Sequence, residues 1–147
     1  MKRTLLMATI CLVLVGCSQG TYNETTIAKL GSPPKTIALG EFKGNDAGIA
    51  QLFADTVAVQ LSTNGFKVTT DQNRADVIVT GAVCYKGPGF YAGLSDWILS
   101  GKTRDGSTLY SLEFHQVLGG WRTDKIPKEI MPELSRRLVR SLRDAND

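Results

Sequence analysis

The stretch Ala75-Asp-Val-Ile-Val-Thr-Gly-Ala-Val83 does most to limit what this chain can fold into, because its apolar residues fall on both faces of an extended segment. It predicts a central strand covered on both sides or nearly so, and the rest of the chain must supply neighbouring strands and helices. Thr36-Ile-Ala-Leu-Gly-Glu-Phe42 places apolar residues at Ile37, Leu39 and Phe42 between Pro34 and Gly44, which predicts a first strand. Asn45 or Asp46 can cap a helix in which Ile49, Phe53, Val57 and Leu61 recur every four residues and Leu52 and Val59 broaden the stripe. Asn64-Gly65 ends that helix, and Phe66 to Thr70 forms a short strand that runs parallel to the first if the two share a sheet. Lys86 to Ser95 is a glycine-rich loop. Beyond it, Trp97 to Thr103 and Leu109 to Leu118 flank Arg104-Asp-Gly-Ser107, an Asp-Gly turn that predicts an antiparallel hairpin. A last helix, capped by Thr123 or Asp124, carries Ile126, Ile130, Leu134, Leu138 and Leu142 on one face; Pro127 suits its first turn, and Pro132 either distorts it or moves its start.

The first 16 residues are of another kind. Lys2 and Arg3 precede an apolar segment from Leu5 to Val15 of about 11 residues, the size of a secretory signal core and well short of the roughly 20 that span a bilayer. The segment ends in Leu14-Val15-Gly16-Cys17, which resembles the lipobox of bacterial lipoproteins. That resemblance implies diacylglycerol on the Cys17 thiol, cleavage before Cys17 and acylation of the freed amine. Each buried methylene contributes about 0.8 kcal/mol, so three such chains would hold the protein on a membrane almost permanently. Ser18 follows where an aspartate would favour inner-membrane retention in enterobacterial lipoproteins, which implies the outer membrane.

Seventeen basic and fourteen acidic residues give a formal charge of +3, which falls to +1 once Lys2 and Arg3 leave with the signal. That balance offers no reason to propose nucleic acid as a partner. Of the three cysteines, Cys11 belongs to the signal and Cys17 to the anchor, so Cys84 has no disulfide partner and stability must come from a packed core. Residues 18–35 are polar, contain Gly31, Pro33 and Pro34 and lack a sustained apolar period, which predicts a flexible tether.

The order strand, helix, strand, central strand, hairpin and helix resembles the small α/β domain shared by the N-terminal domain of TolB, the curli-secretion lipoproteins and the penicillin-binding-protein activator lipoproteins. The residues that carry the likeness are TIALGEF (36–42), NGFKVT (64–69), ADVIVTGAV (75–83) and DGSTLYSLEF (105–114). These motifs are structural, and the resemblance implies fold rather than chemistry. The chain has no room for the pore-building segments of curli-secretion proteins, and its tether of about 18 residues reaches at most roughly 60 Å.

His115 is the single histidine, and Cys84 with His115 is not a zinc pattern, so no metal and no cofactor is expected. Catalysis by that pair would require the two side chains to meet; a buried strand cysteine and a half-exposed strand histidine are the ordinary explanation. The loop KGPGFYAGL lacks the Gly-Lys-Ser/Thr ending of a phosphate-binding loop, so no nucleotide is expected. Phe90, Tyr91 and Trp97 read either as aromatic anchors for a partner or as packing over the end of the sheet. Arg136, Arg137, Arg140 and Arg143 recur at helical spacing and read either as a solvated face or as a basic surface toward anionic headgroups or an acidic partner.

The expectation is a signal peptide (1–16), a lipidated cysteine and tether (17–35), and one periplasmic α/β (α+β) domain (36–147) with a mixed four- to five-stranded sheet and two main helices. With no catalytic set in view, the expected role is a non-enzymatic binding or accessory component of an envelope assembly, secretion or regulatory complex, working with another envelope protein. The alternatives are a peptidoglycan- or lipid-binding module and a self-assembling structural component of the envelope. The oligomeric state is left open by the sequence.

Overall fold

The computed structural model describes residues 20–86, 93–118 and 125–144, so the signal peptide, Cys17, Phe90, Tyr91 and the Thr123 and Asp124 caps lie outside the described residues. The elements are β1 (Thr21–Thr26), β2 (Thr36–Gly44), α1 (Ala47–Thr63), β3 (Lys67–Thr69), a 3-10 turn (Gln72–Arg74), β4 (Val77–Lys86), β5 (Gly93–Lys102), β6 (Thr108–Leu118) and α2 (Lys125–Arg143). They form one mixed six-stranded sheet in the order β1-β6-β5-β4-β2-β3. β2 is parallel to β3 and β4, and the remaining neighbours are antiparallel. This is the expected single α+β domain, with one strand more than expected.

Local chemistry explains each boundary. The Asp46 carboxylate accepts the Ile49 N–H at 3.0 Å and caps α1. After the helix, Gly65 adopts φ +88°, and Phe66 N–H reaches back to the Leu61 carbonyl at 3.1 Å. Gly106, also at φ +88°, closes the β5–β6 hairpin through its N–H to the Thr103 carbonyl at 3.0 Å. In β2, Leu39 pairs with Val79 but Phe42 with Gly81, a bulge that inserts one residue. The bulge explains the broken alternation of TIALGEF: Ile37, Leu39 and Phe42 all face the same layer. α2 runs unbroken through Pro132.

Both helices lie on one face of the sheet. There Phe53, Val57 and Leu61 of α1 and Ile130, Leu134, Leu138 and Leu142 of α2 pack on Val77, Val79, Val83, Trp97, Leu99, Leu112 and Phe114. Three aromatic rings occupy the space beside glycines on neighbouring strands or strand ends that a Cβ would fill: Phe42 at Gly81, Tyr110 at Gly101 and Phe114 at Gly20. No helix among the described residues is long and apolar enough to cross a membrane.

Four expectations are corrected. Among the described residues β4 is covered on one face only, because the two described helices cover the same side; Ile78, Thr80 and Ala82 are half-buried and Cys84 is exposed. Leu52 and Val59 do not widen the buried stripe of α1 but remain 50% and 62% exposed. At about 100° per residue, a separation of seven positions brings them within about 20° of each other on the side turned away from the sheet. Residues 18–35 are not simply a tether, since Thr21–Thr26 is an edge strand paired with β6 from Thr21↔His115 to Thr26↔Tyr110. Finally, the glycine-rich loop is shorter than expected, because Lys86 ends β4 and Gly93–Ser95 begin β5.

β1 is polar, so backbone pairing and a few side chains hold it. Tyr22 rests on Phe114 with ring centroids 4.6 Å apart, and the Arg137 guanidinium lies 4.3 Å over the Tyr22 ring. Arg137 also donates to Glu24 at 2.6 Å and to Glu133 at 2.8 Å, bridging α2 to the edge strand.

Asp76 fixes the other end of the sheet. Its carboxylate accepts the N–H groups of Thr36 at 2.9 Å and Lys35 at 2.8 Å, and those bonds, Thr36's first, hold its pKa below the usual 3.8. A carboxylate depressed on folding contributes stability above its unfolded pKa and loses it as pH falls through the folded one. Asp76→Ala should therefore reduce stability by about 1–2 kcal/mol at neutral pH, the value expected for charged hydrogen bonds at a solvent-screened site. The deficit should shrink below roughly pH 4, as urea titrations at the two acidities would show.

Candidate interaction surface

With both described helices on one side, the other face of the sheet is open among the described residues. Strand alternation and pairing assign its residues: Ile98 lies opposite Ala82 on β4 and Glu113 on β6, and Asp96 lies opposite Cys84 and His115. Leu94 and Ile98 are 42% and 36% exposed, giving the face an apolar centre. Lys43, Lys67, Lys86 and Lys102 point to the same side, since their partners across the sheet are Ala82, Thr36, Leu94 and Ile78.

His115 stands beside that apolar centre between two carboxylates. Its Nδ1 is 3.0 Å from Asp96 Oδ1 and its Nε2 3.2 Å from Glu113 Oε2. Asp96 and then Glu113 raise the imidazole pKa by hydrogen bonding, which favours the doubly protonated ring that donates to both. Both ring nitrogens are thereby engaged. Cys84 and His115 share this face but β5 separates them, about 10 Å at two strand spacings. Asp96 stands between, so Cys84 and His115 are out of hydrogen-bond reach of each other. Cys84 is also exposed, not buried as expected.

Trp97 is not a surface anchor. It has no exposed area, its ring meets Phe53 edge-on with centroids 5.2 Å apart, and its Nε1–H donates to Ser95 Oγ at 2.6 Å. The alternation of β5 decides this: Trp97 is in phase with Leu99 on the helix side, and its neighbours Asp96 and Ile98 face outward.

The arginine series is also divided. Arg137 is the half-buried bridge to β1 and not part of a basic surface, because its guanidinium lies over Tyr22 and is committed to Glu24 and Glu133. Arg143 donates to the Asn64 carbonyl and side chain, joining the ends of the two helices. Arg136 is paired with Glu133 at 2.7 Å and, with Arg140 and Arg143, lines a groove of about 370 Å³ beside Asn64 and Val139.

Leu94, Asp96, Ile98 and Glu113 were not singled out by sequence. A signal was present, since Gly93-Leu-Ser-Asp-Trp-Ile-Leu-Ser-Gly101 places apolar residues in both phases, but which phase meets the helices depends on the tertiary arrangement.

No family model and no curated protein sequence matches the chain. Solved structures share its fold. The PelC dodecamer from Paraburkholderia phytofirmans superposes with a TM-score of 0.58 at 13% identity, covering 84% of this chain and 97% of that one. A dodecameric point variant of PelC from that organism gives 0.59 at 15% identity, covering 84% and 98%. A PDZ domain protein from Parabacteroides distasonis gives 0.55 at 10% identity, covering 90% of this chain and 39% of that one. At these identities the likeness is one of fold.

Proposed function

We propose that this protein is a lipid-anchored, non-enzymatic component of a bacterial envelope assembly or secretion complex, held through Cys17 at the outer membrane with its α/β domain in the periplasm. The observation that carries the binding role is the sheet covered on one face only, with Leu94 and Ile98 exposed between His115 and a border of lysines. Apolar side chains rimmed by polar ones mark docking surfaces. The lipobox supports the anchor and the location, and the shared fold with PelC, which is seen as a dodecamer, supports a role in a multi-subunit assembly.

A photo-reactive residue placed at Ile98 in the full-length protein in its native cells tests this reading. Protein adducts at Ile98, absent when the probe is placed at exposed Gln72, are expected. Adducts only to lipid or peptidoglycan, or none at all, would overturn it.

A further inference from the structure

The open sheet face carries one apolar patch, and among the described residues a second lies on the far side of the domain. Leu52 and Val59 project from α1 away from the sheet, and Asp55 sits between them. α1 contains no basic residue, and its cap, Asp46, is also acidic. The sheet face also carries Asp96 and Glu113, but both are paired with His115, and Lys43, Lys86 and Lys102 around Leu94 and Ile98 give it the opposite net character.

We propose that these patches bind each other between copies of this chain, the outer face of α1 on one copy seating on the open sheet face of the next. The proposal rests on reading the sheet face as a binding surface and names its occupant. Charge complementarity selects the arrangement: Asp55 and Asp46 meet the lysine border, and Leu52 and Val59 meet Leu94 and Ile98. A symmetric sheet-to-sheet dimer would instead bring lysine borders together and leave Leu52 and Val59 in water.

The placement of the patches sets the kind of assembly. A contact between two different surfaces is head-to-tail, and it closes into a ring or runs on as a filament. In a closed ring each step turns the subunit by a full circle divided by the number of copies, about 30° for twelve, so the two surfaces must lie almost back to back. A two-layer fold with one patch on the outside of its helix layer and the other on the outside of its sheet layer meets that condition. Lipid anchors leaving every copy on the same side would favour the ring, since a filament rotating about its axis would carry some anchors out of the membrane plane.

Two variants of the full-length, detergent-extracted protein test the contact by sedimentation. Leu52→Lys with Val59→Lys spoils the helix patch, and Leu94→Lys with Ile98→Lys spoils the sheet patch. The unaltered protein should sediment as a multi-copy species and each variant as a single copy. An equimolar mixture of the two should form a one-to-one dimer, because each supplies the patch the other lacks. An unaltered protein that is a single copy, a helix-patch variant that keeps the parental size, or a mixture that stays monomeric would each overturn the proposal. Should the sheet variant fail to fold, Val59→Cys provides a second measure, since Cys84 lies on the sheet face opposite Asp96. Oxidation should give a ladder of species joined through Cys84 and the new thiol. Bonds joining only like positions, or no ladder, count against the contact. If the assembly fails these tests while Ile98 still crosslinks to another envelope protein, the binding reading stands and only its occupant is wrong.

Discussion

Trp97→Ala is expected to lower the stability of the domain by about 3–5 kcal/mol, the range for truncating a large buried aromatic. The whole ring is removed from a site with no exposed area, where it meets Phe53 edge-on at 5.2 Å and lies 6.4 Å from Tyr85. The change also strips the Ser95 hydroxyl, itself fully buried, of the indole N–H that donates to it. Domains of this size hold together by only about 5–15 kcal/mol, so the variant should be close to unfolding at growth temperature. Trp97→Phe, which keeps most of the packing, should retain more than half of the lost stability. Urea unfolding followed by far-ultraviolet circular dichroism measures both. A change below about 0.5 kcal/mol, typical of exposed positions, would restore Trp97 to the role of a surface contact.

The second large effect is expected at Gly101. A Cβ there would stand 2.1 Å from Tyr110 Cζ and 2.3 Å from its hydroxyl, distances at which one group must move. Tyr110 is 5% exposed and closely packed, its hydroxyl has no hydrogen-bond partner among the described residues, and burial raises its pKa. Gly101→Val should therefore destabilise by about 3 kcal/mol, the upper part of the range for overpacking. Gly81→Val provides a control for the argument. Its Cβ would meet the Phe42 ring at 2.3 Å, but Phe42 is only half-buried and can swing toward solvent, so the loss should be nearer 1 kcal/mol. Tyr110→Leu should recover part of the Gly101→Val loss and do nothing for Gly81→Val, a coupling that a double-mutant cycle reads directly. Equal losses at both glycines, or no coupling with Tyr110, would show that the strands relax instead.

Much of the fold was legible because each element carries its own local signal. Asp46 and Gly65 mark the ends of α1, Asp105-Gly106 marks the hairpin, and the spacing of Ile130, Leu134, Leu138 and Leu142 marks the buried side of α2. β1 was not legible because TYNETT has no apolar period; it is a strand by virtue of the free edge of β6 and the contacts of Tyr22 and Arg137. Trp97, Leu52 and Val59 were misplaced for a related reason. Apolar character identifies residues able to be buried, whereas the faces actually covered depend on where the helices dock.

By itself the sequence determined the lipobox pattern, the order and hand-over of strands and helices, and the single-domain α+β class, because these rest on covalent order and on periodicities of 3.6 and 2. Only the tertiary structure decided that both helices share one face of the sheet, leaving Leu94, Ile98 and His115 open and enclosing Trp97. That choice depends on packing between segments far apart in the chain, and a strand whose two phases are both apolar carries no record of which one will meet the helices.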